Sequence, residues 1–320
     1  MAIATNLHIV SGKGGTGKTT VAASAAVALA SRGRKVLLCE VEERQGIAQL
    51  FDVSPLSYQE RRIATGLGGG EVFGLAIDPR AALMEYLAMY YRMGGAGRAL
   101  DRFGVIDFAT TIAPGVRDVL LTGKVYEAAR RKHRNRFVYD AVVMDAPPTG
   151  RINNFLNVNS EVAGLAKVGP VRRQADSIME MMREPSTRVH LVTILEEMPV
   201  QESLDAIAAL EDDRLNVGHI IMNMVRADLL SAVTSRALES PTAPAELAST
   251  LDANGLDGSV APRLWQAGHA HEQRQALQEQ QRELVGEAGP PAAELPRVDE
   301  GVDAGRLYEF AEKLVDQEVL

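Results

Sequence analysis

The sequence contains a single cysteine, Cys39, in 320 residues. That rules out a disulfide within the chain. It also leaves none of the paired or clustered thiolates that an iron–sulfur cluster, a soft-metal site or a CxxC zinc clasp requires. Within KVLLCE the residue reads as a small buried apolar side chain. No apolar run approaches the length, about 20 residues, that crosses a bilayer. Basic charge is also short: 34 Lys and Arg face 42 Asp and Glu, a formal net charge of -8. Such a balance argues against a general affinity for nucleic acid or anionic lipid. His269 and His271 lie two residues apart in a Gln- and Glu-rich helical stretch. On a helix that spacing turns them away from each other and offers no metal pair.

What is present is an ordinary globular composition, 46% apolar and 24% charged, enough to bury a sizeable core in one or two domains. One stretch departs from the ordinary: SGKGGTGKTT at 11–20, between the apolar LHIV and the alanine-rich VAASAAVALA. Gly12 through Thr19 fit G-x-x-x-x-G-K-[ST], a strand-to-helix loop whose backbone N–H groups wrap phosphate oxygens. The glycines let the chain curl and the phosphate approach, and the helix N-terminus that follows favours an anion. The expected nucleotide-binding residues are Gly12, Lys13, Gly14, Gly15, Thr16, Gly17, Lys18, Thr19 and Thr20. In this pattern Lys18 meets the outer phosphates and Thr19 holds Mg2+. A loop that begins at Gly12 leaves no room for a signal peptide ahead of the first strand, so a cytoplasmic location is expected.

Lys13 makes the pattern more specific. The form K-G-G-x-G-K-[ST] is the deviant phosphate loop of a group of ATPases, and the sequence resembles the branch that contains the arsenite-pump ATPase and the ATPase that targets tail-anchored membrane proteins. The resemblance implies ATP and Mg2+ as ligands. It also implies a dimer in which Lys13 reaches across to the partner's nucleotide, a second cation beside Lys18 on the charge that develops during phosphoryl transfer. FVYDAVVMDAPPTG (137–150) closes an apolar strand with Asp145, a carboxylate suited to hold Mg2+ through its water shell. The segment continues as Ala146, Pro147, Pro148, Thr149 and Gly150, a proline-rich turn that resembles the family's second switch, which moves when the γ-phosphate leaves.

Other matches are looser. RKVLLCEVEERQGIAQLF (34–51) reads as a buried strand, a loop and a helix. Alignment on it puts Glu42 where the family's first switch orients the attacking water, with Glu40 two residues earlier, toward the metal. Relatives usually read D-P-A-H there, whereas this chain reads Glu42-Glu43-Arg44-Gln45, so slow turnover is one expectation. The apolar strand in NVGHIIMNMVR ends at Asn223, the position of an adenine-binding asparagine in related ATPases, whose amide offers both a donor and an acceptor. Pro296 stands at the start of a segment that resembles the family's last nucleotide-side loop.

These pieces predict an α/β fold: a doubly wound, mostly parallel sheet flanked by helices, of the P-loop NTPase type, as one domain over 1–320. The sheet is expected from about 1–52, 137–160, 188–226 and 289–320, with helical insertions at approximately 79–135, 161–187 and 227–288. No second phosphate loop occurs, so a partner lysine must come from another chain. The partner is a second copy or a paralogous ATPase, as in the paired relatives of actinobacteria that this chain resembles. Six of eleven methionines fall in RAALMEYLAMYYRM and IMEMM. Flexible side chains of this kind suit a surface for apolar protein segments, and they suit an ordinary core between insert helices equally. Two functions follow: a hydrolysing dimer acting on a protein or membrane-associated client, or a low-turnover nucleotide-binding subunit beside a paralogue. Membrane contact is expected only through a partner; nucleic acid, arsenite, zinc and iron–sulfur ligands are not expected.

Overall fold

Runs such as LHIV, VLLC and AVVM carry apolar residues at every position, the pattern of strands covered on both faces. In the computed structural model, which describes residues 6–42, 44–91, 114–165, 170–240 and 242–320, these runs form the centre of an eight-stranded sheet. Its strands are β1 (Asn6–Gly12), β2 (Lys35–Glu40), β3 (Arg61–Thr65), β4 (Glu71–Ala76), β7 (Ala141–Asp145), β8 (Thr187–Thr193), β9 (Val217–Val225) and β10 (Ala292–Pro296), with β5 (Lys132–His133) and β6 (Arg136–Phe137) forming a separate small hairpin. The order across the sheet is β10-β9-β8-β1-β7-β2-β4-β3. Every neighbouring pair is parallel except β3 with β4.

Helices cover both faces. On one lie α4 (Pro114–Arg130), α5 (Thr149–Leu165), α6 (Pro170–Arg183) and α7 (Glu197–Asp212), which bury Val125, Phe155, Met182 and Leu210 against Leu7, Leu37 and Met144. On the other lies α1 (Lys18–Ser31), pressed between the sheet and α11 (Ala304–Asp316), with α2 (Gly46–Leu50) beside it. Residues Val21 to Ala30 of α1 are all buried, which explains why its sequence is small and apolar all round and carries no polar stripe. The remaining helices are α3 (Pro79–Tyr91), α8 (Ala232–Leu238), α9 (Ala243–Ala253) and the 27-residue α10 (Ala261–Glu287), which is about 40 Å long. None of the described helices is long and apolar enough to cross a membrane.

The sequence expectations hold for the mostly parallel sheet and the helices on both faces; of the expected insertions, residues 92–113, 166–169 and 241 lie outside the described residues. Three details differ. The β3–β4 hairpin, outside the segments assigned to the sheet, extends it: Val36, Leu38 and Glu40 pair with Val72, Gly74 and Ala76. Strand β9 continues to Val225, so Asn223 sits two residues inside its end. The second-switch turn stops at Pro148, and Thr149 and Gly150 already belong to α5. As for the methionines, Met179, Met181 and Met182 are buried core residues, and Met89 and Met93 lie outside the described side chains.

Candidate functional site

Strand β1 feeds the phosphate loop directly into α1, at the point where the chain's crossovers part to either side of β1. In an open α/β sheet that is the crevice where ligands bind. Two glycines are fixed by contact. A Cβ on Gly12 would come within 2.1 Å of the Val192 carbonyl oxygen, and one on Gly17, which has φ of 88°, within 2.3 Å of the Asn223 amide nitrogen. Gly14 and Gly15 differ, since a Cβ at either meets nothing within 4 Å. Their Cα atoms border open space. The loop is braced from behind: Thr16 donates its hydroxyl (2.9 Å) and its N–H (3.2 Å) to the Lys13 carbonyl, and Asn223 donates its amide to the Thr16 carbonyl at 2.8 Å. Lys18 and Thr19 open the first turn of α1, whose N–H groups have no partners within the helix.

Three acidic side chains stand beside this turn. Glu40 and Asp145 end the adjacent strands β2 and β7 in direct register, and Asp145 is likewise in register with Val10 of β1. Thr19 donates its hydroxyl to Asp145 Oδ2 at 2.7 Å. Burial pushes the Asp145 carboxyl up to about 6, against the pull of the Thr19 hydrogen bond and the Lys18 charge, with Glu40 and Glu42 adding to the rise. Burial also raises Glu40, whose Oε1 accepts the Gly46 N–H at 3.1 Å. Asp145 Oδ1 and Glu40 Oε2 are buried without a hydrogen-bond partner among the described residues. A hydroxyl and two carboxylates with spare oxygens, each destabilised by its neighbours' charge, form the donor set of a hard divalent cation. The residues present therefore fit Mg2+.

Glu42 lies half-buried on the loop after β2, with the Arg44 guanidinium Nε 3.8 Å from its Oε2. Residues 146–150, expected as the second switch, are tied to β1 where it enters the phosphate loop, because Ser11 donates its hydroxyl to the Pro147 carbonyl at 2.7 Å and the Ala146 N–H bonds the Val10 carbonyl at 2.9 Å. Pro296 ends β10 opposite Val225 and is exposed at the same edge of the sheet. Thr20 is part of the first turn of α1. Thus the structure gathers the phosphate loop, Glu40, Glu42, Asp145 and residues 146–150 at one end of the central strands, with Asn223 and Pro296 on β9 and β10, beyond β8.

Sequence reasoning missed Glu202. The Lys13 ammonium lies 2.6 Å from its Oε1, and the other oxygen accepts the Thr149 hydroxyl at 3.2 Å. LEEMPVQESLD supplies four carboxylates, and helical periodicity does not say which one meets a loop lysine. Away from the crevice, a mostly apolar cavity of about 480 Å3 lies between α3, α4, α5 and α6. None of the phosphate-loop residues borders it. His269 and His271 engage different neighbours, Trp265 and Asp228.

The profile of the family described as Anion-transporting ATPase matches residues 5–187, a span that takes in the phosphate loop, Glu40, Glu42 and the second switch. ATPase BagA of Mycobacterium tuberculosis is 48% identical over 318 residues, covering 98% of this chain and 93% of that protein. ATPase GET3 of Rhodotorula glutinis is 26% identical over 250 residues, 68% of this chain and 69% of its own. ATPase get3 of Neurospora crassa is 28% identical over 166 residues, 52% and 46% respectively. A phosphate loop backed by a hydroxyl–carboxylate pair and a family match over more than half its length lead to one assignment: the chain belongs to the anion-transporting ATPase family and is an ATP-hydrolysing enzyme.

Proposed function

We propose that the chain works as an Mg2+-dependent dimer in the cytoplasm, each protomer lending Lys13 to its partner's ATP, and converts hydrolysis into movement of its helical insertions against a protein or membrane-associated client. The supporting observation is that two lysines of one loop part company. Lys18 is buried, and its charge offsets that of Asp145, whereas Lys13 leaves the loop for α7. A lysine turned out of its own cradle and held by one carboxylate can be released to serve another.

In this reading Thr19, Asp145 and Glu40 hold the metal, which when bound neutralises charge on the outer phosphates. Lys18 and the loop N–H groups bind those phosphates, Glu42 orients the attacking water, and Asn223 and Pro296 face the base. The route outward is α5: it begins at Thr149 of the second switch and carries Asn159 to the wall of the 480 Å3 cavity among the insert helices. A helix that starts at the γ-phosphate end transmits a shift there as a rigid rod. The test is single-turnover hydrolysis by Lys13→Ala. ATP binding should persist while the rate drops about 10²-fold or more; equal rates for the variant and the parent chain would refute the trans-lysine mechanism.

A second reading, a low-turnover regulatory or scaffold subunit beside a paralogous ATPase, draws support from the Arg44–Glu42 contact, which competes for the carboxylate that should orient water. Substantial turnover by the purified chain alone would exclude it.

A further inference from the structure

The contact between Lys13 and Glu202 spans 189 residues of sequence and joins three parts of the site at one carboxylate. One oxygen holds the Lys13 ammonium at 2.6 Å, and the other takes the hydroxyl of Thr149, the first residue of α5 in the second switch. The backbone of Lys13 needs no help from this contact, because its carbonyl is already held by both the N–H and the hydroxyl of Thr16, and Thr16 in turn by Asn223. Only the side chain of Lys13 is restrained by Glu202. Redirecting it requires rotation about side-chain bonds and no rearrangement of the loop.

We propose that Glu202 is a latch: it parks Lys13 within its own chain and releases it to the nucleotide of a second copy when Thr149 moves. The proposal rests on the trans-lysine reading above and adds the residue that positions the lysine beforehand. Its strength suits the role. Both partners are about one-third exposed, at 30% and 36% of their side-chain surface, so water screens the pair and its net contribution is small. A phosphate bearing more charge outbids such a carboxylate, whereas among the described residues Glu202 is the one acidic partner of Lys13. The Thr149 hydrogen bond links the two events. Displacement of the second switch removes one of the two groups that orient the Glu202 carboxylate, and arrival of a neighbour's phosphates removes the other.

The test compares the parent chain, Glu202→Gln, Glu202→Asp, Lys13→Ala and the double variant Lys13→Ala/Glu202→Gln. Self-association is followed by sedimentation velocity in the presence of Mg2+ and a hydrolysis-resistant ATP analogue, and hydrolysis is followed across a series of protein concentrations. Glutamine keeps the size and removes the charge, so Glu202→Gln should lower the concentration at half-maximal association and half-maximal activity by about two- to fivefold, the scale of a partly exposed ion pair. Glu202→Asp should return toward the parent. The shift should vanish in the Lys13→Ala background, because there is no lysine to release. Thr149→Val gives an independent check, with a smaller shift in the same direction expected even if Glu202→Gln folds poorly.

A Glu202→Gln midpoint that coincides with the parent's, a shift that survives in Lys13→Ala, or a chain that does not self-associate with the analogue would overturn the latch. The two readings fail separately. Lys13→Ala that loses hydrolysis beside an unaltered Glu202→Gln removes the latch alone, whereas Lys13→Ala that hydrolyses like the parent removes the trans-lysine reading on which the latch depends.

Discussion

Single residues in this site divide by whether their neighbours lie nearby in sequence. The phosphate loop is legible from ten letters because its glycines and its lysine act through local backbone geometry. Asn223 is only half legible: its place near the end of a strand is readable, but its present occupation is not, since the Thr16 carbonyl it binds is 207 residues away. Asn223→Ala should leave that carbonyl short of a partner in a buried setting, at about 1–3 kcal/mol. We expect a lower thermal midpoint without nucleotide and about tenfold weaker binding of an ATP analogue by calorimetry. Unchanged stability with weakened binding would confine the residue to contact with the base. Glu202 is the opposite case, a side chain that no local pattern marks, because only the folded sheet brings α7 beside the loop.

At the scale of strands, the parallel centre of the sheet could be read from uninterrupted apolar runs; the Gly-rich turn at 66–70 marks β3 and β4 as two strands, but with Arg61, Arg62 and Glu71 at their starts nothing in them says that they extend the main sheet. The sheet also contains a feature the runs conceal. His8, His190 and His219 stand side by side on β1, β8 and β9, with successive ring centroids 5.4 and 5.9 Å apart and His8 Nδ1 3.1 Å from His190 Nε2. Burial and the Arg188 charge hold all three below the ordinary 6.5, His8 at about 4, and for His190 the two flanking rings add to the fall. Between those values the unfolded chain binds more protons than the folded one, so stability is complete above pH 6.5 and declines as pH falls through the window. For His8 alone the loss reaches on the order of 3 kcal/mol by about pH 4, and about 2 kcal/mol by about pH 5. Urea midpoints measured at about pH 7.5 and about pH 5 should differ accordingly, and His8→Gln should narrow the gap. A midpoint indifferent to pH would show that the row is protonated at no cost.

Over the whole molecule, the nucleotide crevice depends on packing far from it. Helix α1 owes its position to α11, whose Leu307, Phe310 and Leu314 are buried beneath it. Phe310→Ala should cost about 3–5 kcal/mol, and differential scanning fluorimetry should show the midpoint falling together with the temperature at which ATP protection disappears. Protection by ATP that outlasted the loss of α11 packing would mean that β1 alone fixes the loop. The arrangement has a consequence for biosynthesis. A ribosome makes the phosphate loop long before it makes residues 304–316, so through most of translation α1 has a sheet on one side and water on the other. A nascent chain in that state has the binding motif without its support, so nucleotide is expected to load only after residues 304–316 have been made and packed against α1.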